Sequence, residues 1–187
     1  MEVVWKSIVS FLMGAIPFAK LAMLGTGVDI TKVGSRNPGF NNVRRVGYPG
    51  RAAFTLIGDI LKGSVALLLL GRSWLFGVAA VAGHCWSPFL AFNGGKGVAT
   101  TVGVLLVLEP KITIACLPLY PLLRFFGRKM GWNQEGAIAS LSTMLVIAAS
   151  VLALRGIESG IFAFVLFVIV VVRHKSNLQE IMGKKRG

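Results

Sequence analysis

The stretch VATTVGVLLVLEPKITIACLPLYPLLRFF, residues 98–126, is apolar on both sides of an interruption at Glu109-Pro110-Lys111. It reads either as one long broken helix or as a hairpin of two short ones, and the two readings give different membrane folds. Around it, apolar runs extend from about Ser7 to Leu24, Ala52 to Gly71, Trp74 to Phe92, Gly136 to Leu154 and Ile157 to Val172. Each is near the roughly 20 residues that cross a bilayer at about 1.5 Å per residue.

Loop charge chooses between the readings. With a hairpin there are seven spans. The loops on one side then carry Lys32, Arg36, Arg44, Arg45, Arg51, Lys96, Arg124, Arg128, Lys129, Arg173, Lys175, Lys184, Lys185 and Arg186. The other side has only Lys6, Arg72, Lys111 and Arg155, with Lys20 and Lys62 inside apolar runs. A single broken helix would move the 124–129 cluster across the membrane and reverse the tail, against the tendency of basic loops to stay cytoplasmic. The expectation is therefore an all-α, multi-pass protein with about seven transmembrane helices, an outside N-terminus and a cytoplasmic C-terminus. The two hairpin arms would rise only about 18–22 Å each, which requires local thinning or packing against neighbours.

Composition agrees. Hydrophobic residues make up 55% of the chain and charged residues 14%, against about 25% charged in a soluble domain, and mean hydropathy is +0.73. At 187 residues the chain has room for one integral-membrane domain, residues 1–187, with too little polar sequence for a second. A net charge of +13 would suggest nucleic acid in a soluble protein. Here the basic residues sit in short loops, so orientation and anionic lipid head groups explain them, and no nucleic-acid partner is expected. Cys85 and Cys116 fall inside apolar runs without a spacing motif and read as small core residues. The first run, preceded by Glu2 and Lys6 and lacking a clear small-x-small cleavage site, reads as a membrane helix and not as a leader.

This topology puts three polar segments on the cytoplasmic side. One is 34–45, GSRNPGFNNVRR, which combines hydroxyl, amide and guanidinium donors with Gly39, an inventory suited to phosphate oxygens. Its plain reading is a solvated turn punctuated by Asn-Pro and Pro-Gly. The second is Gly94-Gly95-Lys96-Gly97. Its glycines let successive N–H groups converge before a helix start, and Lys96 adds a full positive charge at the membrane edge. Alone it could be an interface loop whose lysine follows the charge rule, and it lacks the GxxxxGK[ST] spacing of a nucleotide-binding loop. The third is His174-Lys175-Ser176-Asn177, where His174 could equally be a lone interfacial histidine. His84 has no histidine or carboxylate at ligand spacing, which argues against a metal site. Asp59 and Lys62, three apart on the second span, read as a structural ion pair.

At these residues the sequence resembles the bacterial acyl-phosphate:glycerol-3-phosphate acyltransferase family over most of its length. The pieces that carry the resemblance are Ser35-x-Asn37-x-Gly39-x-x-Asn42-x-x-Arg45, Gly58-Asp59-Ile60-Leu61-Lys62-Gly63, Gly83-His84, Phe92-x-Gly94-Gly95-Lys96-Gly97-Val98-Ala99-Thr100, and His174-x-x-Asn177. The resemblance implies a seven-helix fold, a cytoplasmic active site in a bacterial plasma membrane, and transfer of an acyl group from acyl phosphate to glycerol 3-phosphate. It implies substrate or phosphate binding at Ser35, Asn37, Gly39, Asn42, Arg45, Gly94, Gly95, Lys96 and Gly97, with His174 and Asn177 acting on the reacting groups. No Ser-His-Asp arrangement or activated cysteine is visible, and an acyl phosphate is already a reactive mixed anhydride, so direct attack by the substrate hydroxyl suffices without metal or diffusible cofactor. The base is His174 or a substrate phosphate oxygen. Departures from the family pattern are Arg36 in place of glycine, Phe40 and Asn41 in place of a small residue and threonine, and Glu180 in place of arginine. In the tail, Lys185 or Arg186 stands where the family has a glutamate. The alternatives are a catalytically altered paralogue and a phosphate-ester binder or transporter. A transporter is expected to show repeated halves and a polar midplane path, neither of which the sequence displays.

Overall fold

Among the described residues, three helical stretches are long and apolar enough to cross a bilayer alone: Glu2–Ala22, Pro49–Leu70 and Glu135–Arg155. A fourth forms if Ile157–Arg173 and Lys175–Ile181, which meet at a 66° bend, count as one span. The computed structural model describes residues 1–183, and every regular element among them is helical. The basic residues Lys184, Lys185 and Arg186, part of the charge argument and of the tail departure, lie outside the described residues. Outward-facing Leu68, Leu69, Leu154 and Ile157 are mostly exposed, Leu69 at 72%, as lipid-facing side chains are when no lipid covers them. The chain divides into two compact units, Met1–Leu108 and Glu109–Gly187.

The first unit contains α1 (Glu2–Ala15), α2 (Phe18–Ala22), α3 (Phe40–Arg45), α4 (Pro49–Leu70), α5 (Trp74–Cys85) and α6 (Val98–Leu108). Pro17, with no N–H to donate, breaks the first span between α1 and α2. In lipid each freed carbonyl needs a new donor. Ser87 Oγ donates to Ala15 O at 2.6 Å and Lys62 Nζ to Ile16 O at 2.8 Å. Small residues let the helices touch backbone to backbone: a Cβ on Gly14 would lie 1.9 Å from Ala80 O, and one on Gly103 2.0 Å from Ile60 O. Ser64 Oγ adds a 2.9 Å bond to Gly103 O.

Contacts fix the helix directions. The short 71–73 turn folds α5 back along α4. Gly77, near the start of α5, meets Val104 and Leu108 at the end of α6, while Gly95, just before α6, meets His84 at the end of α5. Hence the end of α5 and the glycine-lysine turn lie on the side that faces back toward the start of α4, into which the 34–45 loop leads. The third apolar run does not remain helical to Phe92: α5 ends at Cys85, and a 3-10 turn follows at Pro88–Leu90. Pro88 disfavours helical geometry at Ser87, which sits at ψ 123°.

Lys62 also pairs with Asp59 at 2.8 Å, the two side chains only 3% and 4% exposed, so the ion pair expected from their spacing is present and buried. Lys62→Met leaves a buried carboxylate and the Ile16 carbonyl without their cation. It is expected to cost about 3–5 kcal/mol, read as a large fall in thermal midpoint in detergent. Asp59→Asn/Lys62→Met should lose less, and equal losses in the single and double variants would refute the pairing argument.

The second unit holds α7 (Pro110–Cys116), α8 (Leu119–Lys129), α9 (Glu135–Arg155), α10 (Ile157–Arg173) and α11 (Lys175–Ile181). The break expected at Glu109-Pro110 is present, but the chain breaks again at 117–118, so the expected second hairpin arm is two short helices, α7 and α8. Pro118 supplies the reason, since its ring withholds a donor and clashes with the preceding turn. Glu109 accepts from Arg155 Nε at 2.8 Å, tying the start of α7 to the end of α9. Arg124 and Arg128 approach Glu135 at 3.5 and 3.3 Å and hold α8 to the start of α9.

Candidate functional site

In the 34–45 loop the organising residue is Asn42, 1% exposed on the first turn of α3. Its Oδ1 accepts the Ser35 N–H at 2.8 Å, and its Nδ2 donates to Val33 O at 3.0 Å and Ile30 O at 3.1 Å. Three hydrogen bonds thus fold the loop around one buried amide. Gly34 sits at φ 60°, and a Cβ there would lie 2.3 Å from Asn42 Oδ1, so both its backbone conformation and its contact require glycine. Arg36 is left-handed at φ 59°, a conformation costing a residue with a Cβ roughly 1–2 kcal/mol. This is the position where the resemblance has glycine.

The remaining donors of the loop are uncommitted. Among the described residues the Ser35 hydroxyl, the Asn37 amide and the exposed Arg45 guanidinium make no hydrogen bond or ion pair, whereas Arg44 lies over the Phe40 ring at 5.8 Å. Asn42 thus positions the loop through its three hydrogen bonds. Gly39 is buried and extended at the start of α3.

The glycine-lysine turn stands on His84. Gly94, Gly95 and Gly97 are buried and Lys96 is half-buried. Gly95 N–H donates to His84 O at 3.2 Å, a Cβ on Gly94 would lie 2.0 Å from that same oxygen, and one on Gly95 2.2 Å from His84 Nε2. Gly97 turns the chain at φ 83°, and its carbonyl accepts the Thr101 N–H at 2.8 Å to begin α6. Beneath, His84 Nδ1 is 3.5 Å from Asp59 Oδ1. His84 thus has a carboxylate neighbour that sequence spacing does not reveal, since the fold brings the second and third apolar runs together. Asp59 is ten residues into α4, about 15 Å of helix rise, so the turn lies beside the middle of α4. No group of three metal-capable side chains occurs among the described residues.

In the second unit, His174 and Asn177 occupy the bend between α10 and α11. His174 is 2% exposed. Its Nδ1 lies 2.8 Å from Val170 O and its Nε2 3.4 Å from Ser140 Oγ. The carbonyl can only accept, so Nδ1 carries the proton. Asn177, also buried, donates from Nδ2 to Gln134 Oε1 at 2.6 Å, and Gln134 Nε2 donates to the Glu180 carboxylate. Gln134 and Ser140 are partners that sequence reasoning misses, because 43 and 34 residues separate them from Asn177 and His174.

Known proteins are similar to this chain in sequence and in fold. A family model described as glycerol-3-phosphate acyltransferase matches residues 4–184. A glycerol-3-phosphate acyltransferase of Laribacter hongkongensis is 34% identical over 98% of this chain and 94% of its own length. One of Neisseria gonorrhoeae is 38% identical over 95% and 92%. The crystal structure of PlsY, an integral membrane glycerol 3-phosphate acyltransferase, in its glycerol 3-phosphate form superposes with a TM-score of 0.85 at 26% identity, covering 100% of this chain and 95% of that one. Its lysophosphatidic acid form gives 0.82 at 25% identity with the same coverage.

Proposed function

The chain belongs to the glycerol-3-phosphate acyltransferase family, and from that membership we propose that it moves a fatty acyl group from acyl phosphate to the 1-hydroxyl of glycerol 3-phosphate. The hydroxyl oxygen attacks the acyl carbonyl carbon, the bond from that carbon to the phosphate oxygen breaks, and lysophosphatidic acid and inorganic phosphate leave. The observation that carries the reading is the pair of uncommitted donors, the Ser35 hydroxyl and the Arg45 guanidinium, on a loop that Asn42 holds in place. Such donors suit a phosphate dianion and the charge that develops as the anhydride opens.

Arg45, Ser35, Asn37, Lys96 and the 94–97 N–H groups bind phosphate, Gly39 keeps the loop compact, and Asn177 orients the attacking hydroxyl. His174 is nearly enclosed and touches a carbonyl and a hydroxyl through its two ring nitrogens. That favours a substrate phosphate oxygen as proton acceptor, with His174 holding the bend. An apolar groove of about 480 Å³, lined by Leu152, Gly160, Phe164 and Val168, runs to Ile169 on α10. Ile169 lies five residues before His174, a short helical rise, so the groove suits an acyl tail. In this reading both compact units form one functional domain with seven spans in a bacterial plasma membrane, and the three polar segments face the cytoplasm.

Purified protein in detergent, given acyl phosphate and glycerol 3-phosphate, is expected to release lysophosphatidic acid and phosphate in equal amounts. No product above background across pH and lipid composition would sink the assignment in favour of a phosphate-ester binder.

A further inference from the structure

Gln134 and Glu180 form a chain of fixed polarity that ends on Asn177. A carboxylate only accepts hydrogen bonds, so the end of Gln134 that meets Glu180 must be its NH2 group. The other end of Gln134 is then its carbonyl oxygen, and the end of Asn177 that meets it at 2.6 Å must be Nδ2. Asn177 Oδ1 is thereby turned the opposite way. The two ends of an asparagine amide have nearly the same shape, so neighbours decide which faces a substrate. Here the bond to Gln134 fixes the Asn177 amide, and the Glu180 carboxylate fixes Gln134.

The relay is held from both ends. Gln134 caps α9 in the left-handed conformation at φ 61°, and the neighbouring Asn133 Nδ2 donates to the Glu180 backbone carbonyl at 3.1 Å. Asn177 itself is buried at 6% exposure.

We infer that Gln134 and Glu180 are positioning residues that present Asn177 Oδ1, and not its NH2 group, to the acceptor hydroxyl. This rests on the acyl-transfer reading above. An oxygen acceptor at that place holds the O–H of the bound alcohol and turns its lone pair toward the acyl carbonyl; as the new C–O bond forms, the proton passes to the substrate phosphate oxygen that serves as base in the reading above. An NH2 group would instead donate to that lone pair and blunt the nucleophile.

Three variants test the polarity in the acyl phosphate assay. Gln134→Leu removes the relay and is expected to lower kcat at least tenfold while KM for both substrates stays within about twofold, since phosphate binding lies elsewhere. Gln134→Lys keeps an ion pair with Glu180 but offers Asn177 only donors, which forces the amide to flip. Its kcat should fall as far as that of Gln134→Leu, although a purely structural tie would be preserved. The double variant Gln134→Glu/Glu180→Gln moves the charge while still accepting from Asn177 Nδ2, and should come within about threefold of wild type. Wild-type rates in Gln134→Lys, or a double variant as slow as Gln134→Leu, overturn the inference while the acyl-transfer reading stands. If Gln134→Leu does not fold, the other two variants decide. Wild-type protein that makes no lysophosphatidic acid overturns both.

Discussion

Lys96→Ala and Arg45→Ala are each expected to lower kcat/KM for acyl transfer by about 10- to 150-fold, with the yield of folded protein close to wild type. The size follows from the bond each makes. A charge-assisted hydrogen bond contributes about 1.5–3 kcal/mol, and every 1.4 kcal/mol is tenfold in rate. The folded yield should hold because Arg45 is exposed and Lys96 only half-buried. Neither is packed into a core the way Lys62 is. Arg44→Ala is the matched control: it removes an equal charge one residue away, from a side chain that lies on Phe40. It should change turnover by less than about threefold, as screened surface charges do. A phosphate role predicts that the two active variants lose affinity for glycerol 3-phosphate, acyl phosphate or both, and that Arg45→Lys recovers only part of the loss, since an ammonium cannot grip two oxygens at once. Near-normal rates in both alanine variants would remove these residues from the site.

What could be read from sequence divides along a physical line. Positions of the long helices were legible because hydrophobic runs of span length are set locally, and the Asp59–Lys62 pair was legible because a spacing of three places both side chains on one helical turn. The break at Glu109-Pro110 was likewise written in one proline. Elsewhere local signals mislead. Apolar sequence continues to Phe92, yet α5 stops at Cys85, because Ser87-Pro88 outweighs hydrophobicity and the Ser87 hydroxyl is needed at the Ala15 carbonyl. The second hairpin arm breaks at Pro118 for the same kind of reason.

The site shows the division more sharply. Its residues could be named because they cluster in short motifs, but their roles depend on partners far off in the chain. Asn42 belongs by motif to a candidate phosphate loop, and its amide pins that loop to Val33 and Ile30. His84 looked solitary and lies between Asp59 and the glycine turn. Asn177 takes its orientation from Gln134, across 43 residues. Such pairings carry no periodicity, so a single sequence cannot expose them.

The glycine turn yields the second large effect, and it separates two neighbouring glycines. Gly94→Ala and Gly95→Ala are both expected to abolish most turnover and to lower the thermal midpoint, since overpacking costs about 1–3 kcal/mol even where neighbours can shift. The obstacles differ. At Gly94 the new methyl meets the His84 carbonyl oxygen at 2.0 Å, and that backbone oxygen is fixed by the end of α5 and by its bond from Gly95 N–H. At Gly95 it meets the imidazole Nε2 at 2.2 Å, which is a side chain. Removing the ring should therefore relieve one clash and leave the other. In the His84→Ala background, which itself loses the contact with Asp59, adding Gly95→Ala should cost much less than it does in wild type, giving a coupling of at least about 1 kcal/mol in a double-mutant cycle. Adding Gly94→Ala should cost nearly the same in both backgrounds. Measuring thermal midpoints and turnover for the four combinations at each glycine gives both couplings. Equal couplings would mean that the ring does not support the turn, and that the buried Asp59–His84 contact serves α4 and α5 alone.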